Sequence, residues 1–331
     1  MLKAVIIGTG GMGKVHSNCY KALQDAGQDV QIIAAADIEF GKTARVTDTH
    51  PEARAYDSLT KLLVNEKPDI AHITTPSDSH AELAIEALRH GCHVFCEKPI
   101  ALTLEDAERM AQVAEANGKF LMIGQVVRFW EQYRYIKTLI ETKKFGALRV
   151  LRLHRAGQAP GWDTRSWFLE QERSGRAPVD LHLHDVDFLN YLFGKPNAVH
   201  STETDDQRSL SYIATSYDYG NGIDIRAEGG WVKAPIGFTF GYEAIFDEAM
   251  VLMKDDKITL YPVGGEAQAV EPTQTLSMDS GINLSNMGPY VAEIAYFHDC
   301  VRNNTAPTEI TPQSARDSLE IVLREVEAAK K

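Results

Sequence analysis

No excess of positive charge runs through this sequence: 34 Lys and Arg stand against 46 Asp and Glu, a formal net charge of −12. Phosphate backbones need a basic surface, so nucleic acid is excluded as a general partner. Cysteine is scarce as well. Cys19, Cys92, Cys96 and Cys300 form no C-x-x-C pair, and Cys92 and Cys96 flank one apolar segment. Buried free thiols in a reducing cytoplasm are therefore expected, rather than disulfides. No apolar run approaches the ~20 residues that cross a membrane. The run Met1 to Gly8 is interrupted by glycines with no cleavage site behind it, so it is not read as a signal peptide. Repeats, low-complexity tracts and charged blocks are missing too. What remains is an ordinary globular composition, 44% hydrophobic and 24% charged. The length calls for two domains of ~100–200 residues.

The first third alternates strand and helix. Lys3 to Ile7 reads as a buried strand, and Gly8-Thr9-Gly10-Gly11-Met12-Gly13 follows at once, before a helical stretch from about Met12 to Ala26. This is G-x-G-x-x-G between strand and helix. Gly8 permits the tight turn, Gly10 lets the backbone approach a pyrophosphate, and Gly13 lets helix and strand pack closely. The helix N-terminus adds free N–H groups and a positive dipole end. A second strand, Gln31 to Ala36, ends in Asp37, 24 residues after Gly13. A carboxylate there accepts hydrogen bonds from ribose hydroxyls and repels a 2′-phosphate, which favours NAD over NADP. Strands at residues 69–73, 93–96 and 120–123 and helices at 79–89 and 104–117 continue the pattern, the signature of a doubly wound parallel sheet. Thr74, Thr75 and Pro76 leave one strand on its ligand side, and Glu97, Lys98 and Gln125 leave two others. All six are candidate cofactor contacts, along with Gly11 and Met12. His80, in a first helical turn near the same edge, reads either as a cofactor contact or as a helix-surface histidine. Pro99 biases Lys98 away from helix and makes a cis bond possible.

The alternation stops near Gly124-Gln125, which divides the chain into a dinucleotide-binding domain, 1–124, and an α+β domain, 125–331. The second domain is expected to carry a large, mainly antiparallel open sheet, with strands such as Ser211 to Tyr217 and helices such as Asp180 to Phe193 on one face. Its Tyr- and Phe-rich strands suggest that the other face meets a second subunit. A closing helix follows Thr311-Pro312, with Ala315, Leu319, Val322, Leu323 and Val326 on its buried side. That helix is free to pack back on the first domain.

Asp180-Leu181-His182-Leu183-His184-Asp185-Val186-Asp187 is the densest ionisable cluster of the second half. At 100° per residue Asp180, His184, Asp187 and Tyr191 share one helix face. A carboxylate and an imidazole at i, i+4 suit a general base, because the carboxylate fixes the tautomer and the imidazole titrates near neutral pH. His182 projects among apolar residues as a core or hinge histidine. Asp185 projects there too and needs a partner that the sequence does not name. A metal site over His182, His184, Asp185 and Asp187 competes, but two histidines at i, i+2 diverge on a helix. No metal is assigned.

With Gly8 to Gly13, Glu97-Lys98-Pro99, Pro76-x-x-x-His80, Arg128-Phe129 and Asp180-x-x-x-His184 in hand, the chain resembles the glucose–fructose oxidoreductase / inositol dehydrogenase (Gfo/Idh/MocA) family over essentially its full length. The resemblance implies NAD(P)-dependent oxidation or reduction of a sugar, cyclitol or derivative. It implies homodimers or homotetramers paired through the second domain's sheet, and a catalytic set of Lys98, Asp180 and His184. One departure is His182, where many members carry a small or apolar residue. Arg128, Trp130 and Tyr133, with Trp162, Arg165 and Trp167, are candidate substrate walls, aromatic for the C–H face of a ring and basic for its hydroxyls. Two rivals stay open on the same scaffold: an NAD-dependent glycosidase using transient redox chemistry, and a non-catalytic NAD-sensing protein. A purely structural role leaves the glycine loop and Asp37 unexplained.

Overall fold

The computed structural model describes residues 1–159, 167–206, 210–271 and 287–330. They fall into two compact units, residues 1–126 with 287–316, and residues 127–271 with 317–330.

The first unit is built on β1 (Leu2–Ile7), β2 (Val30–Ala36), β3 (Arg54–Tyr56), β4 (Ile70–Ile73), β5 (His93–Glu97) and β6 (Leu121–Gly124). All its pairings are parallel, in the order β3-β2-β1-β4-β5-β6. The strands are nearly continuous apolar runs because both faces are covered. The covering helices are α1 (Gly11–Asp25), α2 (Ala44–Thr47), α3 (Leu59–Asn65), α4 (His80–Arg89) and α5 (Leu104–Ala116). Thr103 caps α5 by accepting from Asp106 N. The strand order reverses between β1 and β4, and in open parallel sheets ligands bind at the carboxyl ends beside that point. The Lys98–Pro99 bond, just past β5, is cis. All four cysteines are buried and free.

The second unit holds an eight-stranded sheet, β7 (Leu148–Gln158), β8 (Ala198–Asp205), β9 (Ser211–Asp218), β10 (Asp224–Val232), β11 (Thr239–Phe246), β12 (Ala249–Lys254), β13 (Lys257–Pro262) and β14 (Gln268–Val270). Among the described strands of this sheet only the β7–β10 pair is parallel. The helices of this unit are α6 (Glu131–Thr142), α7 (Gln171–Ser174) and α8 (Leu183–Phe193). Ahead of α8, Pro178–His182 forms a π-type turn, so the single α-helix expected from Asp180 to Phe193 is corrected.

Two further helices close the chain, α9 (Gly288–Arg302) and α10 (Pro312–Ala329). α9 packs on α1 within the first unit. On α10, Ala315, Leu319 and Val322 are buried as expected, but Ile321 and Glu325 are buried in place of Leu323 and Val326. The buried carboxylate explains the change of phase, since Glu325 meets His182. Among the described residues no helix is long and apolar enough to cross a membrane.

Candidate active site

The loop after β1 is shaped by two glycines. Gly8 has φ +86°, and a Cβ there would stand 2.6 Å from Thr75 Cγ2; at Gly13 one would stand 2.2 Å from the Gly8 carbonyl oxygen. No L side chain fits either place. Gly10 and Gly11 are the opposite case, because a Cβ on either meets nothing within 4 Å. Above the loop the space is open, and α1 begins there with Gly10 as N-cap and no capping side chain. Uncapped N–H groups at a helix start suit a pyrophosphate. Asp37 stands beside them, its Oδ2 accepting from Thr9 N (2.8 Å) and Thr9 Oγ1 (3.0 Å) and its Oδ1 from Glu39 N (2.8 Å). An ionised carboxylate offers about four acceptor positions, so one remains for a ribose hydroxyl. Gln125, after β6, is 1% exposed, and neither atom of its carboxamide has a partner among the described residues. An orphaned amide costs about 1–3 kcal/mol, and a polar ligand atom would relieve it. On these observations a nicotinamide dinucleotide fits the residues present. Replacing Gly10 by alanine tests the open space: NAD affinity is expected to fall about tenfold or more, or ~1.4 kcal/mol. Thermal stability should stay within about 2 °C of wild type, because the added methyl touches no protein atom. Isothermal titration with a melting curve checks both.

The remaining candidates of this unit divide. Thr75, Pro76 and Met12 are half-buried at the carboxyl edge, as is Lys98. Thr74 is buried, and its hydroxyl donates to the Gly8 carbonyl at 2.6 Å; it shapes the loop rather than facing ligand. His80 is not a surface histidine. It is 1% exposed, with Nδ1 2.7 Å from the Pro99 carbonyl and Nε2 2.9 Å from that of Thr75. Burial pushes its pKa down, while the two carbonyls pull it up. It joins the β4 exit to the turn after Lys98, so the cofactor-contact reading is corrected. Glu97 also turns inward. Its Oε1 lies 2.8 Å from His16 Nε2, and its Oε2 accepts from Lys98 N at 3.3 Å.

In the second unit three buried anchors hold the segment around α8. Asp185 receives a fork from Arg155, Nε to Oδ2 at 3.1 Å and Nη2 to Oδ1 at 2.8 Å. Arg155 Nη2 also donates to the Tyr133 hydroxyl at 2.9 Å. Burial opposes the Arg155 charge, but Asp185 and Tyr133 more than offset it and raise its pKa. Asp187 receives a second fork, from Arg128 Nε (2.8 Å) and Nη2 (2.6 Å), and a bond from Ser318 Oγ (2.8 Å). His182 Nε2 lies 3.0 Å from Glu325 Oε2 and 3.3 Å from the Tyr217 hydroxyl, which bears out a core histidine.

These anchors correct several expectations. Asp187 is fully buried, so it does not share an open polar face with Asp180 and His184. Within α8, Asp187 is drawn inward by the Arg128 fork and Ser318 Oγ, and Asp180 is put out of phase with α8 by the π-type turn. The turn's i→i+5 bonds widen the backbone, and 100° per residue no longer applies across Asp180 to His182. Arg128, 2% exposed, is an anchor and not a substrate wall. Tyr133 is fully buried, edge-on to Phe188 and Tyr242. Trp130 is buried and donates its indole N–H to Asp256 Oδ1 at 2.9 Å. Trp167 is half-buried and stacked on Phe168. Trp162 and Arg165 lie outside the described residues. Asp180 and His184 stand four residues apart, the first at the edge of burial and the second half-buried at the start of α8. Among the described residues no group of three His, Cys, Asp or Glu side chains is arranged to hold a metal ion.

Sequence reasoning missed Arg155 and His16. Arg155 had a readable signal, because it lies in phase with the inward residues Leu151 and Leu153 of β7. An arginine on the buried face of a strand demands a carboxylate. His16 had no comparable signal.

Residues 2–125 match the Gfo/Idh/MocA oxidoreductase family, NAD-binding Rossmann fold, and residues 133–242 match the Gfo/Idh/MocA C-terminal domain. A 2,7-anhydro-N-acetylneuraminate hydratase of Mediterraneibacter gnavus is 34% identical over 194 residues, 57% of this chain and 48% of that protein. A D-glucoside 3-dehydrogenase of Escherichia coli is 30% identical over 200 residues, 59% of this chain and 55% of that one. The chain thus spans about half the length of these curated relatives. The solved structure of a levoglucosan dehydrogenase, in complex with NADH and levoglucosan, matches with a TM-score of 0.84 over 99% of this chain and 97% of that one, at 19% identity. That likeness is one of fold. The chain belongs to the Gfo/Idh/MocA oxidoreductase family, and its first unit carries that family's NAD-binding Rossmann fold.

Proposed function

We propose that the protein is an NAD-dependent dehydrogenase acting on a secondary alcohol of a sugar, cyclitol or sugar derivative, with Lys98, Asp180 and His184 as its catalytic residues. The observation that carries this is a carboxylate and an imidazole four residues apart, Asp180 and His184, in a chain whose first unit has the family's NAD-binding fold. The segment that bears them is held by the buried pairs Arg155–Asp185, Arg128–Asp187 and His182–Glu325. Bound NAD supplies the hydride acceptor. The imidazole of His184 takes the hydroxyl proton as hydride leaves the carbinol carbon, so alcohol and oxidised cofactor give ketone, reduced cofactor and one proton. Lys98, in the turn past β5, is the group assigned to stabilise negative charge as it develops on an oxygen, where preorganised charge is most effective. Asp180 orients His184. Incubation with NAD and a panel of polyols, sugars and cyclitols, read by NADH absorbance, tests the proposal, and absence of NADH with every member counts against it.

A second reading rests on the hydratase among the relatives. Transient oxidation followed by return of the hydride gives no net NADH. Such an enzyme, or an NAD-dependent glycosidase, would turn over a sugar derivative with NADH absorbance flat throughout.

Homo-oligomerisation through the second unit's sheet is part of the same proposal. In register across four strands, Val150, Ile245, Met250 and Tyr261 form one row, and all four are partly or fully exposed. A row of apolar side chains on an open sheet face suits a second copy of the chain. Ile245→Glu is expected to reduce the mass seen by light scattering to that of a monomer; an unchanged mass places the interface elsewhere.

A further inference from the structure

A chain of hydrogen bonds crosses the core of the first unit and ends under the Lys98 turn. Glu97 Oε1 lies 2.8 Å from His16 Nε2, and His16 Nδ1 lies 2.9 Å from His72 Nδ1. His72 Nε2 lies 2.8 Å from the Tyr20 hydroxyl, which lies 2.6 Å from His298 Nε2. The five side chains come from β5, α1, β4 and α9, and none is more than 6% exposed. Phe95 walls the chain, stacked on His72 and edge-on to His16. The relay stops at His298 Nδ1, which is buried with no partner among the described residues.

Proton counting selects one arrangement. Each link needs one hydrogen between its two heavy atoms. Burial holds His72 and His298 neutral, the latter with its pKa lowered to about 3, and keeps the Tyr20 hydroxyl protonated. With Glu97 ionised, His16 must donate from Nε2, and its bare Nδ1 accepts from His72 Nδ1–H. The bare His72 Nε2 then accepts from Tyr20, and Tyr20 accepts from His298 Nε2–H. The unpartnered His298 Nδ1 is left as a lone pair. A fifth proton, on Glu97 or on both His16 nitrogens, reverses the order and puts an N–H on His298 Nδ1. No acceptor stands there among the described residues, and a buried, unmet donor is costly. The surrounding charges are Glu293, which bears on Cys19, and Arg302, which bears on His298.

We propose that His16, His72, Tyr20 and His298 form a tautomer-ordered relay whose task is positional: it holds Glu97 as an oriented carboxylate that fixes the backbone from which Lys98 projects. The contact that transmits the effect is Lys98 N to Glu97 Oε2. The four relay members are positioning residues, and the activity arm of their test rests on the function proposed for Lys98.

Two-bond ¹H–¹⁵N spectra of the imidazoles in the full-length, NAD-bound protein test the relay without any turnover. The expected tautomers are Nε2–H for His16, Nδ1–H for His72 and Nε2–H for His298. A cationic His16 or the reverse order overturns the proposal. Tyr20→Phe removes the central hydroxyl at nearly constant volume. It should change the His72 and His16 signals and lower kcat about tenfold or more, as expected when a reacting group is misplaced, with KM within about twofold. Unchanged imidazole signals, or kcat within twofold of wild type, overturn it as well. Should Tyr20→Phe fail to fold, the wild-type tautomers still decide. Failure of the dehydrogenase reading shows itself differently, as wild-type protein that makes no NADH while the spectra still report the relay.

Discussion

His184→Ala is expected to lower the rate of NADH formation ~10²–10⁴-fold, the usual cost of removing a general base, while NADH still binds. The expected effect is local. The substitution leaves the glycine loop and the Asp37 carboxylate untouched, so NADH affinity is expected to hold. Three other ionisable residues near it on the segment, His182, Asp185 and Asp187, are tied to Glu325, Arg155 and Arg128, and those anchors persist in the variant. The fall should therefore be in kcat and kcat/KM together, the pattern of an interaction made in the transition state. NADH titration by fluorescence separates binding from turnover. Activity within threefold of wild type would remove His184 from the mechanism.

Arg155→Ala is expected to cost the second unit ~3–5 kcal/mol of stability, the range for leaving one member of a buried ion pair alone. Asp185 is fully buried and would lose both bonds of its fork, and Tyr133 would lose its donor. Replacing both charges, Arg155→Met with Asp185→Leu, should recover most of the loss, because no unpaired charge is left in the core. All four tryptophans lie between Trp130 and Trp231, so urea unfolding followed by tryptophan fluorescence reports this unit. Equal destabilisation of single and double variants would mean that the packing of the two side chains matters more than their charges.

The parts of the molecule that were legible in the sequence are those set by neighbours in the chain. The strand–glycine loop–helix unit is an example, since the demands on Gly8 and Gly13 come from a turn and from packing a few residues away. The alternation of β9 is another, with burial switching at every residue from Ser211 to Tyr217. What stayed hidden depends on partners far along the chain. His182 finds Glu325 143 residues later, and Asp187 finds Arg128 59 residues earlier. No periodicity announces either pairing. The wheel that grouped Asp180 with His184 assumed α-helical spacing through a stretch where the backbone widens, and only the fold reveals the π-type turn. His80 and Glu97 were placed correctly at strand and helix ends but aimed outward, whereas both face inward. A side chain's direction at such an end is decided by tertiary contacts.

Hydride transfer itself is the central claim, and isotope transfer tests it most directly. The protein is incubated with NAD and sugars or cyclitols deuterated at their carbinol carbons, and the cofactor is recovered for mass spectrometry. The account predicts deuterium on the reduced nicotinamide in equal amount to the ketone formed, with the label lost in His184→Ala. Conversion of the sugar with no deuterium ever reaching the cofactor would contradict it.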